Sequence, residues 1–540
     1  MVDVIRVPDQ VQVLIDDRWK RMRKTGEGEF FAEMTDVTLT CKVEGDGLRL
    51  RMTAPKTPVE RLHIRFAGDM PQSCRILCDA WERGYGELGW GCIRPEQVLP
   101  WYFMVNAQDA TWGVGVKTQP GAMCYWHADP HGVTLTLDVR SGGDGVLLGN
   151  KALELCTVVS YRSAAGESAF AATRALCQKM CEHPLSAGGP VYGGNNWYYA
   201  YGKSSQAEIK EDTLRVKALA PQEGAMPFMV IDACWQTGTV DTNPAAGCAG
   251  GPYLEGNADF PDMPGLAAWM CARGVRPGIW MRPSLVQQYL PERMVLPRNR
   301  FPGDNLGMVL DPTVPEALDW TRQDIARLSG WGYELIKHDF STNDILGGWG
   351  FMYGPNVTRK GWHFHDRSVT TAQALINLYR AIREGAGEKT LILGCNAVGH
   401  LGAGLFNMQR TGDDTSGREW ERTRKMGINT LAFRMAQHGT FFDVDADCVG
   451  LTDQVPWALN SQWLDLLARS GTPLFVSADP KAMGDAQNKA VKAAFARAAH
   501  EQPLGEPLDW FDTSCPEHWR FGQEEKRYDW YGDGLSVCMH

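Results

Sequence analysis

No apolar run in the 540-residue chain reaches the roughly eighteen residues a membrane-crossing helix needs, so no membrane partner is expected. Basic clusters are missing too. Lys and Arg number 54 against 64 Asp and Glu, for a net charge of -10, and a nucleic-acid partner would need a basic patch. The 15 cysteines include no Cys-x-x-Cys pair, and the closest pairs, Cys74/Cys78 and Cys177/Cys181, stand at helical spacing. That usage fits reduced, mostly buried thiols in a cytoplasm better than a disulfide framework or a zinc site. The first residues, "MVDVIRVPDQ", show no basic segment followed by an apolar one. No secretion signal is read there, and a cytoplasmic location is the expectation.

What is present is a soluble, globular composition, 44% apolar and 22% charged. The length exceeds one ordinary core, so two or three domains are expected, with a homo-oligomer open as a further possibility. The 20 tryptophans are the unusual entry in the composition. Much of that indole must be core, yet a Trp face is also a platform for the C–H face of a sugar ring.

Residues 1–182 carry short alternating segments such as "DVTLTCKV", "LRLRMTA", "RLHIRFAG", "GVTLTLDVR" and "LELCTVVSYRS", separated by "EGDG" and "SGGDG". The pattern predicts an antiparallel β-sandwich, closed by a helix over "SAFAATRALCQKMCEHP" and a loose "LSAGGPVYGG". From 191 to 500 the texture becomes strand, loop, amphipathic helix, repeated. Strand cores are read at 195–202, 227–232, 276–281, 333–339, 390–395, 405–410, 440–445 and 472–477, with helices at 314–329, 367–384, 416–437 and 484–500. Eight such units predict a (β/α)8 TIM barrel, although the fifth lacks a clear helix. Residues 501–540 read as a short C-terminal β region.

Catalytic groups of such a barrel sit at the C-terminal strand ends. Here those ends offer Trp197, Asp232, Trp280, Lys337, Asp339, Cys395, Arg410, Asp414, Asp445 and Asp447. Two carboxylates facing one pocket are what glycoside cleavage needs. Asp339 ends the fourth strand and Asp414 follows the sixth, two strands away round the barrel. Lys337, on the same strand face as Asp339, would hold that carboxylate ionised, and burial would have to raise Asp414 for it to act as an acid. The competing reading makes each Asp a solvated cap. "HFHD" (363–366) is read as polar surface rather than a metal site. Trp81 and Trp90, in "WERGYGELGWG", are read as core or turn packing, with a reach over the pocket as the alternative.

"LIKHDFS" resembles the nucleophile strand of clan D glycoside hydrolases, the α-galactosidase families 27 and 36, and "QRTGDDT" resembles their acid/base motif. Counting four from Arg410 selects Asp414 over Asp413. "NNWYYAYG", "IDACW", "GIWMRP", "GCN", "DVDADC" and "SGTPLFVSAD" follow in the same order, over roughly 190–480. The resemblance implies a retaining, exo-acting glycoside hydrolase with Asp339 as nucleophile and Asp414 as acid/base. It further implies that Asp232, Lys337 and Arg410 bind or orient a carbohydrate substrate, that Trp197, Trp280 and Trp235 line its subsite, and that Cys395 touches it. No metal or cofactor is required.

The chain departs from the family at Asp232-Ala233-Cys234-Trp235, where consecutive aspartates are common. A site built to bond a hydroxyl discriminates by up to ~10⁴–10⁵, so a modified or related sugar competes with plain galactose. Arg282, just past the third strand, adds a cation at the rim and makes an anionic sugar one such option. Transfer to a sugar acceptor, a non-catalytic carbohydrate-binding protein and a phosphosugar-binding barrel are the alternatives. The retained carboxylates and the lack of a Gly-rich phosphate loop weigh against the last two.

Overall fold

The computed structural model describes residues 2–71, 73–107, 110–237, 250–300 and 308–532. The last eight residues of the expected C-terminal β region thus lie outside the described residues. Two antiparallel sheets form the N-terminal sandwich. One has six strands, in the order Arg18–Arg21, Gln10–Ile15, Arg61–Ala67, Gly132–Asp138, Met123–Asp129, Leu99–Pro100. The other has eight and is centred on Gly47–Thr53 and Ala152–Arg162. Strict alternation sets the faces: Leu48, Leu50 and Met52 are buried while Arg49, Arg51 and Thr53 face solvent. The helix Ala169–Met180, capped by Ser168, lays Leu176 and Met180 on this sheet. Side chains are absent at Gly113 and Gly115 where they land; a Cβ there would come within 2.8 Å of Leu176 and 2.5 Å of the Met180 sulfur.

The centre is a parallel barrel. Its strands are β1 (Tyr192–Asn195), β2 (Phe228–Ile231), β3 (Arg276–Met281), β4 (Leu335–His338), β5 (Leu391–Gly394) and β6 (Met408–Arg410), then β7 in two pieces (Asp443–Asp445 and Cys448–Leu451) and β8 (Leu474–Ala478). Neighbours pair in parallel from β1 to β7, and β8 pairs with β1. The first piece of β7 pairs with β6 and the second with β8. A break at Asp447, where φ is 74°, lets one segment join both edges and close the ring.

Two of the sequence expectations need correction. The first strand is not "NNWYYAYG": β1 lies upstream in "YGGN", and Trp197–Ala200 is a short helix. Glycine hides this strand from propensity, because Gly193 must pass the backbone of β2. A Cβ at Gly193 would sit 1.9 Å from the Phe228 carbonyl oxygen, and its φ is 151°. The expected helix 416–437 is a relay of four pieces, Trp420–Thr423, a π-turn Arg424–Asn429, Thr430–Arg434 and a 3₁₀ turn Met435–Gln437. The other three expected helices form at Pro315–Gly330, Thr371–Ala386 and Asp485–Ala498, and Gln206–Leu219 and Trp457–Arg469 join them around the barrel.

A three-stranded antiparallel sheet, Gly505–Pro507, His518–Phe521 and Glu524–Arg527, ends the fold. Its neighbourhood absorbs much of the indole: Trp519 and Trp530 are fully buried, and Trp420 donates to the Trp530 carbonyl.

Candidate active site

The alternation of β4 turns Lys337 into the barrel mouth and His338 outward. His338 packs on Phe406 and Tyr379 with Nδ1 2.9 Å from Ser341 Oγ. Burial pulls its pKa down to about 3, so it is a neutral core residue. The Lys337 ammonium lies 2.8 Å from Asp232 Oδ2, which also accepts from Asn195 Nδ2 at 2.8 Å. The ends of β1, β2 and β4 are thereby tied together. Burial opposes the charge on Lys337, but the Asp232 carboxylate outweighs it and holds the ammonium well above its ordinary pKa. This corrects the expected partnership: Lys337 pairs with Asp232, not with Asp339.

Asp339 is held by neutral donors. Trp280 Nε1 donates to Oδ2 at 3.3 Å and the Phe340 backbone N–H to Oδ1 at 2.7 Å. Phe340 has a left-handed φ of 60°, an uncommon conformation for a bulky side chain. Its backbone turns there into the helix Ser341–Leu346, and Asp339 is left at the turn, half-buried.

Across the cavity the loop after β6 carries Asp413 and Asp414. Asp413 bridges two arginines, with Oδ1 2.7 Å from Arg83 and Oδ2 2.7 Å from Arg422. Asp414 is the more open of the two, 37% exposed against 17%. Arg410 donates to its Oδ1 at 3.3 Å, and Arg83 lies 3.9 Å from the same atom. The choice of Asp414 over Asp413 agrees with this difference. Its expected chemistry does not. Burial acts to raise the Asp414 pKa, but Arg410, Arg83 and Lys337 overcome that and pull it down to about 2.

Arg83 was absent from the sequence reading. It comes from the sandwich, in the segment "WERGYG", and that segment docks by backbone: Gly84 N–H donates to the Thr411 carbonyl and Asp413 N–H to the Gly84 carbonyl. Bare backbone on each side allows this approach: a Cβ on Gly84 would meet the Thr430 methyl at 2.8 Å, and one on Gly412 would meet the Met426 carbonyl oxygen at 1.9 Å. Buried Glu82 anchors the same segment by accepting from Gly350 N–H at 2.7 Å, Asn396 Nδ2 at 2.7 Å and the Tyr85 hydroxyl. The reach from the sandwich therefore falls to Arg83 and Tyr85. Trp81 is core, edge-on to Trp101 and Tyr125, and Trp90 packs on Trp510 and Phe511.

Arg83 and Tyr85 wall a cavity of about 270 Å³ with Trp197, Trp280, Phe340, Trp349 and Phe351, and with Asp232, Ala233, Lys337, Asp339, Asp413 and Asp414. Four residues expected at the substrate lie behind that wall. Arg410 is 1% exposed and braced by Asp447 at 2.7 Å. Cys395 is fully buried and accepts from Arg410 at 3.3 Å and Arg83 at 3.8 Å. Trp235 is fully buried and donates to the Trp280 carbonyl. Arg282 forms a two-point pair with buried Asp344, at 2.9 and 2.5 Å, under the Phe340 ring. Its charge is balanced internally, which removes the argument for an anionic sugar.

Asp447 also accepts from Tyr198 and from the Thr415 backbone and hydroxyl. Asp445 accepts from Asp447 N–H at 3.0 Å, and burial raises its pKa to about 6. Both brace the site from beneath. Of the "HFHD" histidines, His363 Nδ1 lies 2.8 Å from the Phe364 carbonyl oxygen, and His365 donates its N–H to Asp311. Phe340, Trp349 and Phe351 went unread because aromatic residues in loops carry no periodic signal, and Asn195 because the strand it ends, β1, lies upstream of the expected one.

No protein-family model matches this chain, and no curated protein matches its sequence. Solved structures do match. An α-galactosidase of Thermus thermophilus, solved with p-nitrophenyl α-D-galactopyranoside, superposes with a TM-score of 0.60 at 17% identity, over 96% of this chain and 99% of that one. A glycoside hydrolase family 36 α-galactosidase of Geobacillus stearothermophilus gives 0.59 at 14% identity, over 95% and 79%. The α-galactosidase of Lactobacillus brevis gives 0.54 at 14% identity, over 91% and 68%. At these identities the likeness is one of architecture: the chain has the sandwich-and-barrel fold of family 36 α-galactosidases.

Proposed function

We propose that the protein is a retaining, exo-acting glycoside hydrolase that cleaves a terminal α-galactoside or a closely related sugar. The observation that carries this reading is the pair Asp339 and Asp414 on one aromatic-walled cavity of about 270 Å³. That volume lies just below the usual range for ligand pockets, about 300–1,000 Å³, and suits a single terminal ring. In the first step a carboxylate oxygen of Asp339 attacks the anomeric carbon. The bond to the leaving oxygen breaks, and Asp414 gives that oxygen a proton. In the second step Asp414 takes a proton from water, the water oxygen attacks the anomeric carbon, and Asp339 is released.

Asp232, Lys337 and Asn195 form a fixed polar cluster for ring hydroxyls, while Trp197 and Trp280 offer flat apolar faces. Ala233 puts a methyl where a second acceptor would stand, which favours a sugar without a hydroxyl at that edge. The arginines hold Asp414 ionised in the free enzyme, so the reading calls for an acidic pH optimum or for leaving groups that need little protonation. A division into units 1–182, 191–500 and 501–540 goes with this reading, the first unit lending Arg83 and Tyr85 to the pocket of the second. A panel of nitrophenyl α- and β-glycosides, with the product anomer followed by NMR, tests the whole proposal. The expected result is turnover of an α-galactoside-type substrate with the α-anomer formed first. Initial release of the β-anomer would refute retention, and no turnover of any α-glycoside would refute the activity.

A further inference from the structure

Arg83 enters the cavity from the sandwich, so its distance from Asp414 depends on how the loop 81–86 is registered against the barrel. The backbone bonds at Gly84 hold this loop to the β6 side alone. The β4 and β5 sides are held by Glu82, which is 1% exposed, lies behind the cavity wall and takes no part in the proposed reaction. Its Oε1 accepts from the Gly350 N–H at 2.7 Å and from the Tyr85 hydroxyl, and its Oε2 accepts from Asn396 Nδ2 at 2.7 Å. Each barrel donor is itself fixed. A Cβ on Gly350 would stand 2.5 Å from Glu82 Cγ, so this approach requires bare backbone, and Gly350 sits between the wall residues Trp349 and Phe351. Asn396 is fully buried and accepts the Asn343 N–H on Oδ1 at 3.0 Å and the Thr342 N–H on its carbonyl at 3.2 Å. Both belong to the helix Ser341–Leu346, which follows the turn at Asp339 and Phe340. A buried network with every member satisfied is rigid.

We propose that Glu82 is a positioning residue: by locking the sandwich loop to Gly350 and Asn396, it sets the distance from which the Arg83 guanidinium acts on Asp414. The inference rests on the reading of Asp414 as acid/base given above. Coulomb attraction falls with separation, so drawing Arg83 back from 3.9 Å by about 2 Å would remove about a third of its pull. Asp414 also faces Arg410, Lys337, Arg422 and Tyr198, besides its neighbour Asp413. Glu82 bonds to none of these, so its influence passes through Arg83.

The test follows the alkaline limb of the kcat/KM profile of the full chain with an α-galactosyl disaccharide. Glu82→Gln keeps the side chain's size but turns an amide donor toward Asn396 Nδ2. Deleting a negative charge would by itself lower the pKa of a nearby carboxyl, whereas a retreating Arg83 raises it, so the sign separates the two causes. The limb is expected to move up, by no more than the shift of about one pH unit that Arg83→Gln produces. Adding Asn396→Asp puts an acceptor opposite the new amide and should restore the wild-type limb. Combining Glu82→Gln with Arg83→Gln should leave the limb where Arg83→Gln alone puts it, because the two act in series. Asn396→Ser, which removes one donor and keeps Glu82, moves the limb the same way and serves if Glu82→Gln does not fold. A limb that stays or falls, a failed rescue by Asn396→Asp, or additive shifts with Arg83→Gln overturns the inference. Hydrogen exchange reads the registration without turnover: Glu82→Gln should speed exchange of the Gly350 amide by at least about tenfold, and Asn396→Asp should slow it again. Unchanged protection overturns the inference too. Failure of the wild-type protein to turn over any glycoside counts against the hydrolase reading instead, and the exchange measurement then decides the registration.

Discussion

The two sides of the catalytic cavity hold the same side chain in opposite surroundings. On the β4 side, Asp339 is touched by an indole N–H and a backbone N–H, and the nearby Lys337 charge is taken by Asp232. On the β6 side, Asp414 faces Arg410 and Arg83, with Asp413 and Arg422 extending the network. The first surrounding is built mainly from adjacent barrel strands. The second needs a segment more than three hundred residues earlier in the chain. Barrel geometry alone thus supplies the proposed nucleophile, whereas the proposed acid/base is tuned by the sandwich. A carboxylate's role follows from its neighbours rather than from its identity.

The largest expected effect tests the β4 side. Asp339→Asn should lower kcat by at least about 10⁴ with an unchanged melting temperature, and retention of wild-type turnover would remove Asp339 from the mechanism. Asp414→Ala should cost about 10²–10⁴ with sugar leaving groups and far less with nitrophenolate, which departs without a proton; an equal loss on both would deny Asp414 the acid role. Arg83→Gln sharpens the contrast further. Removing that cation lets the Asp414 pKa rise, so the carboxyl stays protonated to higher pH and the alkaline limb of the kcat/KM profile moves up by about one pH unit. A profile that stays in place would show that Arg83 does not tune the acid.

The smallest effect concerns the outer face of β4. His338 is buried neutral, its pKa lowered from 6.5 to about 3. A lowered histidine pKa means the unfolded chain binds the proton first. Its stabilising contribution is therefore complete above pH 6.5 and is lost as pH falls toward 3. The melting temperature should decline over that window, and His338→Asn should flatten the decline. An equally steep curve in the variant would assign the acid sensitivity elsewhere.

Most of the architecture was legible as pattern. Alternation in "DVTLTCKV" and "LRLRMTA" announced sandwich strands, which bury Leu39, Leu48, Leu50 and Met52, and the repeated strand–helix texture announced the barrel. The Lys337-x-Asp339 spacing placed both residues at its mouth. Signals failed where backbone proximity replaced side-chain preference. β1 is half glycine because it passes close to β2, and the four-piece segment 420–437 bends around the docked sandwich loop. Local order also cannot tell the cavity wall from the layer behind it, so Trp235, Cys395 and Arg282 read the same as Trp197 and Trp280.

By itself, then, the sequence determined the fold class, the place of the two proposed carboxylates near strand ends and the face of β4 to which one of them belongs, because strand period and strand-end position are local properties. Only the tertiary structure decided which charges meet. Lys337 could pair with Asp339 or Asp232, and the convergence of three strand ends chose Asp232. The contacts that bring Arg83 and Tyr85 to the cavity belong to no local pattern. They exist because long-range backbone docking brings a sandwich loop against a barrel loop, and such contacts are set by packing rather than by chain order.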